Sequence, residues 1–316
     1  VALLASAADP GELYINCIAE IHPHVEAYEK YEGNYHKIIA QNILTHAPEP
    51  AAVVLPENEP ELQDAVRCAK EVGLSVCPRS GGHAFLGESR CTGVMIDLAK
   101  MMGFHYDTQS KVLTVEPGFV LGDVNYDLYF MSPEDDRRVI PTGICPGVGV
   151  GGYIPGGGHG PMGGKLGLTC DNLVEVHMVT QDGDVIVANE EQNTDVFKLA
   201  CGGCGGRYGI FSKFSIKTTS ADFFDQVTVF HFQWPINKAG EIIAKWFDYG
   251  HNDGDTWFRL ETRLHGGLHG YGVCWGTSNP ADCLGRFENE AFFQVDTPYI
   301  EILEAADNAP DAMAFL

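Results

Sequence analysis

Apolar positions along this chain change period in an ordered way. "AAVVLP" (51–56) is a continuous apolar run of strand length and predicts a buried strand. The next stretch, "ENEPELQDAVRCAKEVG", places Leu62, Ala65, Val66 and Ala69 at three- and four-residue steps, the spacing of one helix face. "LSVCP" (74–78) returns to strand, so the chain opens with a β-α-β unit. "GVMIDL" and "KVLTVEPG" predict two further strands, and "VEVHMVTQDGDVIVA" (174–188) a hairpin turning at Asp182-Gly183. "NTDVFKLAC" predicts a helix capped by Asn193 or Thr194, and "GIFSKFSIKT" (209–218) alternates as a strand does. The stretch up to about residue 47 is expected to be mostly helical and irregular.

Around residue 220 the texture changes. "DQVTVFHFQW", the helix-like "NKAGEIIAKWFDYG", "DTWFRLETRLHG" and "LHGYGVCWGT" predict a sheet with helices on one face. Within "DTWFRLETRL", Phe258, Leu260 and Leu264 fall on one side and Trp257, Arg259, Glu261 and Arg263 on the other. A length of 316 residues suits two domains, or one large domain plus part of another. The division read here is an N-terminal segment, 1–47, packing on a domain of residues 48–220, followed by a second domain, 221–316.

Charge narrows the partners. Forty-three acidic against twenty basic residues give a formal charge of −23, a surface that repels phosphate backbones and anionic lipid. Nucleic acid is therefore not an expected partner. No run approaches the roughly 20 apolar residues a membrane span requires, so no integral membrane segment is expected. "VALLASAADP" reads as the end of a signal peptide or a trimmed N-terminus, and ten cysteines fit a secreted chain with some disulfides. The expected location is extracellular.

Several motifs fail on context. Gly147-Val-Gly149-Val-Gly-Gly152 matches G-x-G-x-x-G, but that fingerprint opens a helix, and here Pro155 and Gly156-Gly157-Gly158 follow within a turn. Lys165 follows Gly164 but precedes Leu166, so no phosphate-binding P-loop forms. Cys201-Gly-Gly-Cys204 is a lone C-x-x-C after a helix, better read as two cysteines at a tight turn than as zinc or redox chemistry. His265 and His269 are separated by glycines that break the helix a metal pair needs. No metal site is expected. What remains is glycine: eleven between 143 and 164, interleaved with Val148, Val150 and Ile154. Glycine admits close backbone approach, and successive N–H groups in such loops cradle phosphate. A large cofactor with a pyrophosphate and a planar ring is the natural occupant.

"RSGGH" (79–83), "GICPGVGVGGYIPGGGHG" (143–160), "KLGLTCDN" (165–172) and "CGGCGGRYGI" (201–210) stand in the order and spacing of the berberine bridge enzyme-like flavoproteins, which this chain resembles over residues 10 to 280. The resemblance implies an α+β fold. It has an FAD-binding domain of the vanillyl-alcohol oxidase type, two packed α/β subdomains. A partial substrate domain follows, an antiparallel sheet covered by helices. It also implies bicovalent FAD, with His83 on the 8α-methyl group and Cys145 on carbon 6 of the isoalloxazine. The implied cofactor contacts are Arg79, Ser80, Gly81, Gly82, Gly143, Val148, Gly149, Gly152, Gly156, Gly157, Gly158, Gly160, Leu168, Asn172 and Ile210. Val148 is implied to govern oxygen access, and Glu261 to contact substrate. A Cys17–Cys68 disulfide is implied by the family's matching cysteines, and Cys274 with Cys283 is a second expected pair.

The chain departs from the family pattern at Tyr153, at Ala84-Phe85 and at Cys204. Family members continue through more of the substrate domain, to a tyrosine or carboxylate base that nothing here matches; these 316 residues are expected to hold flavin and turn over slowly or not at all. The activity implied is oxidation of an alcohol or hemiacetal carbon of a sugar-like substrate by hydride transfer to FAD, with O2 as acceptor giving H2O2. The competing readings are a catalytically silent structural or binding module and an oxidase of an alkaloid or other secondary metabolite.

Overall fold

A computed structural model describes residues 9–40, 47–203, 206–222, 227–249, 255–263, 267–276, 287 and 293–297. The chain opens with α1 (Pro10–Ile21), β1 (Glu26–Glu29), α2 (Tyr35–Ile38), β2 (Ala52–Leu55), α3 (Glu59–Glu71), β3 (Val76–Arg79) and β4 (Val94–Asp97). It continues through β5 (Phe104–Asp107), β6 (Val112–Val115), α4 (Leu121–Met131), β7 (Arg138–Val139), α5 (Val150–Tyr153) and α6 (Gly163–Leu166). Then come β8 (Leu173–Val179), β9 (Val185–Asn189), α7 (Thr194–Leu199), β10 (Ile210–Lys217) and β11 (Thr219–Ser220). The last elements are β12 (Val227–Trp234), α8 (Ala239–Tyr249), β13 (Thr256–Arg263), β14 (Gly267–Trp275) and β15 (Phe293–Thr297).

The chain divides into two compact units. The first comprises 1–120, 147–157 and 173–217; the second comprises 121–146, 158–172 and 218–316. In chain order, two pieces of the second unit thus lie inside the stretch expected to bind FAD.

In the first unit, the sheet β1-β2-β4-β3 has a parallel core, β2 and β3 flanking β4, with β1 antiparallel on the edge. The β-α-β unit is present, with β4 inserted between its two strands. β2 is buried along its whole length, which is why it reads as an unbroken apolar run. Helix α3 starts at Asn58, whose side chain accepts from the Glu61 N–H at 3.0 Å, and its Leu62, Ala65, Val66 and Ala69 are buried as the spacing predicts. The second sheet, β5-β6-β10-β8-β9, is antiparallel throughout, and Val179 and Ile210 from it share one core with α3 and β4. Ion pairs and hydrogen bonds join α3 to this sheet as well: Glu59 to His177 at 3.1 Å and Ser212 at 2.6 Å, and Gln63 to the Gly183 carbonyl at 2.7 Å.

Three local expectations need correction. The N-terminal stretch contains β1, a short half-buried strand of sequence EAYE that carries no apolar alternation. β5, sequence FHYD, also lies outside the expected strands. Asn193 stands at the N-cap position of α7 but in a left-handed conformation, and its side-chain amide donates to the Val187 carbonyl at 2.7 Å instead of capping the helix.

In the second unit, β13-β14-β12-β15 form an antiparallel sheet. One side, with Phe230, Phe232, Trp234, Leu268 and Cys274, packs on Ile242 and Trp246 of α8. Phe258 and Leu260 join that side, as their alternation predicts; Leu264 lies outside the described residues. On the other side Val227, Val273 and Trp275 pack with Val139 and Met162, and with half-buried Tyr126, Tyr129 and Leu166.

Cys17–Cys68 is bonded, joining α1 to α3, and Cys77–Cys91 is a second disulfide, one not expected from the sequence. Cys170, Cys201 and Cys274 are also disulfide-bonded; Cys283, the partner expected for Cys274, and Cys204 lie outside the described residues. No helix among the described residues is long and apolar enough to cross a membrane. Cross-linking residues 51 apart is worth about 4 kcal/mol in the chain-entropy account. The variant Cys17→Ala/Cys68→Ala is expected to lose stability of that order, read as a lower urea midpoint at constant m-value; an unchanged midpoint would contradict the account.

Candidate functional site

The site residues of the first unit sit where β3 runs out. Arg79 ends the strand opposite Asp97 of β4, and the two side chains form an ion pair. Burial pushes the Asp97 carboxyl above the usual carboxylate range even with the Arg79 guanidinium against it. A second Arg79 nitrogen donates to the Ala40 carbonyl at 2.8 Å. The Ser80 hydroxyl donates to the Pro117 carbonyl at 2.6 Å. Both side chains therefore hold the loop in place, and what Gly81 and Gly82 can offer a ligand is main chain. Gly82 has φ +69°, a left-handed conformation that glycine adopts without steric cost. Neither the Gly81 nor the Gly82 N–H donates to a main-chain carbonyl among the described residues.

The second glycine loop lies against the first. A Cβ built on Gly81 would stand 2.4 Å from Gly149 N and 2.5 Å from Gly147 O. One built on Gly149 would stand 1.9 Å from Ser80 Oγ and 2.2 Å from Gly81 N. The two main chains touch without room for a side chain on either. Gly149 is also bridged to Val120, and Val150 N donates to the Phe119 carbonyl at 3.0 Å. After Gly149 comes a single helical turn, α5, so the G-x-G-x-x-G stretch does open a helix, but one of only four residues that ends before Pro155. Gly152 faces open space: a Cβ placed there would have nothing within 4 Å. Gly156 is exposed and Gly157 buried with φ +107°. Val148 is half-buried. The Ile210 side chain is buried in the core beside Val179, which leaves only its main chain to face a ligand.

His83 follows Gly82 and is half-buried, and burial lowers its pKa below the ordinary imidazole value. At neutral pH the ring is neutral and keeps a nitrogen lone pair, the form that can act as a nucleophile or ligand. A Cβ on Gly147 would approach its Nε2 to 3.2 Å. The loop that carries His83 is closed at its base by Cys77–Cys91, which spans 14 residues.

In the second unit, the Cys145 segment is braced on both flanks. Asn125 of α4 donates to the Ile140 carbonyl at 3.1 Å and to Thr142 Oγ1 at 2.8 Å, while accepting from the Ile140 N–H at 3.0 Å. Gly122 N donates to the Pro146 carbonyl at 3.1 Å. Thr169 Oγ1 donates to the Pro141 carbonyl at 2.6 Å, and its N–H to the Gly158 carbonyl at 3.0 Å. A Cβ on Gly160 would stand 1.9 Å from the Thr142 carbonyl oxygen. Gly143 and Cys145 are half-buried between these anchors, and Cys145 is a free thiol. Asn172 donates to the Leu166 and Leu168 carbonyls at 3.1 and 3.0 Å, so its amide shapes the turn that exposes Leu168. Asp171 closes the same turn by accepting from the Leu168 N–H at 2.8 Å.

On the polar side of the sheet, Glu261 lies opposite His269 and 3.3 Å from the Arg259 guanidinium. Arg259 sits over the Tyr271 ring, and His231 meets His269 at 3.1 Å. His231, His269 and Tyr271 were not among the site residues expected from sequence, although strand alternation in β12 and β14 puts them on the same side as Trp257 and Glu261. His265 lies outside the described residues.

A sequence profile described as "FAD binding domain" matches residues 50–189. "Berberine bridge enzyme-like 8" of Arabidopsis thaliana is 32% identical over 226 residues, covering 68% of this chain and 42% of that protein. The chain belongs to the berberine bridge enzyme-like flavoproteins. Xylooligosaccharide oxidase of Thermothelomyces thermophilus is 34% identical over 200 residues, 62% of this chain and 39% of that protein. The solved structure of Physcomitrella patens BBE-like 1 has a TM-score of 0.83 at 25% identity, covering 94% of this chain and 65% of that one. The fold is that of the vanillyl-alcohol oxidase type, as expected. This berberine bridge enzyme-like chain spans less than half the length of the two curated relatives, 42% and 39%.

The glycines of the site separate by cause. Gly149→Ala is expected to cost about 1–3 kcal/mol through overpacking. Gly152→Ala, into open space, is expected to stay within about 0.5 kcal/mol of the parent. Urea midpoints of the two variants check this, and equal losses would refute the packing account.

Proposed function

We propose that this chain is the cofactor-bearing part of a secreted FAD-dependent oxidase acting on an alcohol or hemiacetal carbon of a sugar-like substrate. The observation that carries the reading is the pair of nucleophiles in the glycine loops: a neutral imidazole at His83 and a free thiol at Cys145. The donor set fits FAD. The N–H groups at 81–82, which donate to no main-chain carbonyl among the described residues, suit a pyrophosphate, and the chain at Gly152 leaves space for a ligand. In this reading residues 48–220 hold the cofactor with 1–47 packed on them, and 221–316 present the substrate face.

In this reading His83 would hold FAD through its 8α-methyl group and Cys145 through carbon 6. Bound in this way, FAD supplies a two-electron, hydride-accepting centre. A substrate carbon would give up its hydride there, its hydroxyl proton would pass to a base, and O2 would take the electron pair and two protons as H2O2. Glu261, held by Arg259, can accept a hydrogen bond from a sugar hydroxyl, and Trp257 on the same strand face can stack on a sugar ring. The name xylooligosaccharide oxidase, borne by a relative, supports a carbohydrate substrate. Val148 is small and half-buried, consistent with a path for oxygen.

Peptide mapping of the yellow protein is expected to find flavin on the peptides of both His83 and Cys145, with Gly152→Ala lowering flavin content although it leaves the fold intact. Unmodified peptides at both positions would refute the attachment. Chemically reduced protein mixed with air is expected to re-oxidise rapidly with peroxide release, and Val148→Leu to slow this step; an unchanged rate would remove Val148 from the oxygen path. A peroxide-coupled screen of mono- and oligosaccharides tests the substrate class.

A further inference from the structure

We propose that His22, His24 and Glu61 form a zinc site where the end of α1 meets the start of α3, with Asp64 orienting His22. One ligand atom from each of the first three residues lies within 4.8 Å of the other two. Zinc is held at about 2.0–2.2 Å by tetrahedral nitrogen and oxygen ligands, so those atoms would draw closer around the ion.

Chain geometry brings these groups together from two sides. α1 ends at Ile21, and His22 leaves the helix with ψ 74°, the bias a following Pro23 imposes. His22 and His24 then meet edge to face with ring centroids 5.8 Å apart. From the other side, Glu61 and Asp64 are three residues apart on one face of α3. Glu61 is 5% exposed, and its carboxylate is fixed by the Glu57 N–H at 2.7 Å and the Asn58 amide at 2.8 Å. His24 Nε2 lies 2.9 Å from Glu61 Oε1. Asp64 Oδ2 lies 2.9 Å from His22 Nε2, and Arg67 pairs with the other Asp64 oxygen at 3.0 Å.

This is the make-up of a zinc centre. Two imidazoles and a carboxylate suit a borderline cation, with no thiolate to select a softer one. A second carboxylate bonded to one imidazole fixes that ring, as outer-shell partners of metal-binding histidines do. His24 is well exposed, with a side chain 61% accessible, so a water can complete the coordination from the solvent side. The formal charge of −23 favours a divalent cation. Cys17–Cys68 ties the same two helices covalently, so zinc would brace this helix pair at a second point. The site shares no residue with the glycine loops. It differs from the expectation drawn from sequence, in which no metal site was foreseen: His-Pro-His and Glu-x-x-Asp stand almost 40 residues apart and match no common ligand spacing.

The test uses the flavin-containing chain, stripped with EDTA and titrated with zinc chloride by calorimetry, with thermal unfolding in parallel. One zinc per chain and a raised Tm are expected. Asp64→Asn should weaken binding by about 10–100-fold. His24→Ala, at an exposed position, should abolish binding, whereas His24→Asp, which keeps an oxygen ligand, should retain it and be stabilised by zinc more than the parent. A purely structural ion pair would not distinguish these last two variants by their zinc response. Absence of binding by the parent, or equal binding by parent and His24→Ala, would overturn the site.

Discussion

The approach of two main chains, at Gly81 and at Gly149, is the constraint on which the cofactor loops of the first unit depend. Neither position has room for a Cβ: one at Gly149 would fall within 2.2 Å of both the Gly81 nitrogen and the Ser80 hydroxyl. With the chains in contact, His83 is set beside Gly147, and the N–H groups of 81 and 82 donate to no main-chain carbonyl among the described residues. Conventional side-chain packing could not do this, because any side chain between the loops would push them apart and fill the space a flat ligand needs. The remaining polar side chains of the loop act inward. Arg79 is held by buried Asp97 and Ser80 by the Pro117 carbonyl, so specificity for a ligand would rest on backbone groups whose positions are fixed from behind. Splitting the Arg79–Asp97 pair would leave a charge 2% exposed without its counterion, a loss of about 3–5 kcal/mol in comparable buried pairs.

Much of this was legible in the chain. The run AAVVLP, the three-four spacing from Leu62 to Ala69 and the turn at Asp182-Gly183 each state their element locally, because one face or both is buried and the residues pattern accordingly. β13 was legible for the same reason, its Phe258 and Leu260 meeting the helix side and Glu261 the other. What escaped was whatever depends on partners distant in sequence. EAYE becomes a strand because β2 offers it an edge, not because of its own pattern. Asn193 had the chemistry of a cap, but the Val187 carbonyl was the better partner. The packing of Tyr126, Tyr129 and Leu166 with Val227 and Trp275 joins segments a hundred residues apart, and no period along the chain encodes it. Cys77 stands two residues before the RSGGH stretch and Cys91 eight after it, and their pairing follows only from the packing of β3 beside β4.

The cysteines constrain the chemistry from a second direction. Among the described residues Cys17, Cys68, Cys77, Cys91, Cys170, Cys201 and Cys274 are all disulfide-bonded, and Cys145 alone is free. Disulfides form and persist in oxidising surroundings, and a half-exposed thiol in such surroundings is open to oxidation and exchange. A free thiol is stable there only if it is deeply buried or covalently committed. Cys145 is not deeply buried, and its segment is braced on both sides by Asn125, Thr169 and the Pro146 carbonyl, as a reacting group needs to be and a spare cysteine does not. The attachment proposed for Cys145 would resolve the conflict, because a thioether is far less open to exchange than a thiol. The redox environment implied by the disulfides and the attachment proposed for Cys145 therefore support each other through independent residues.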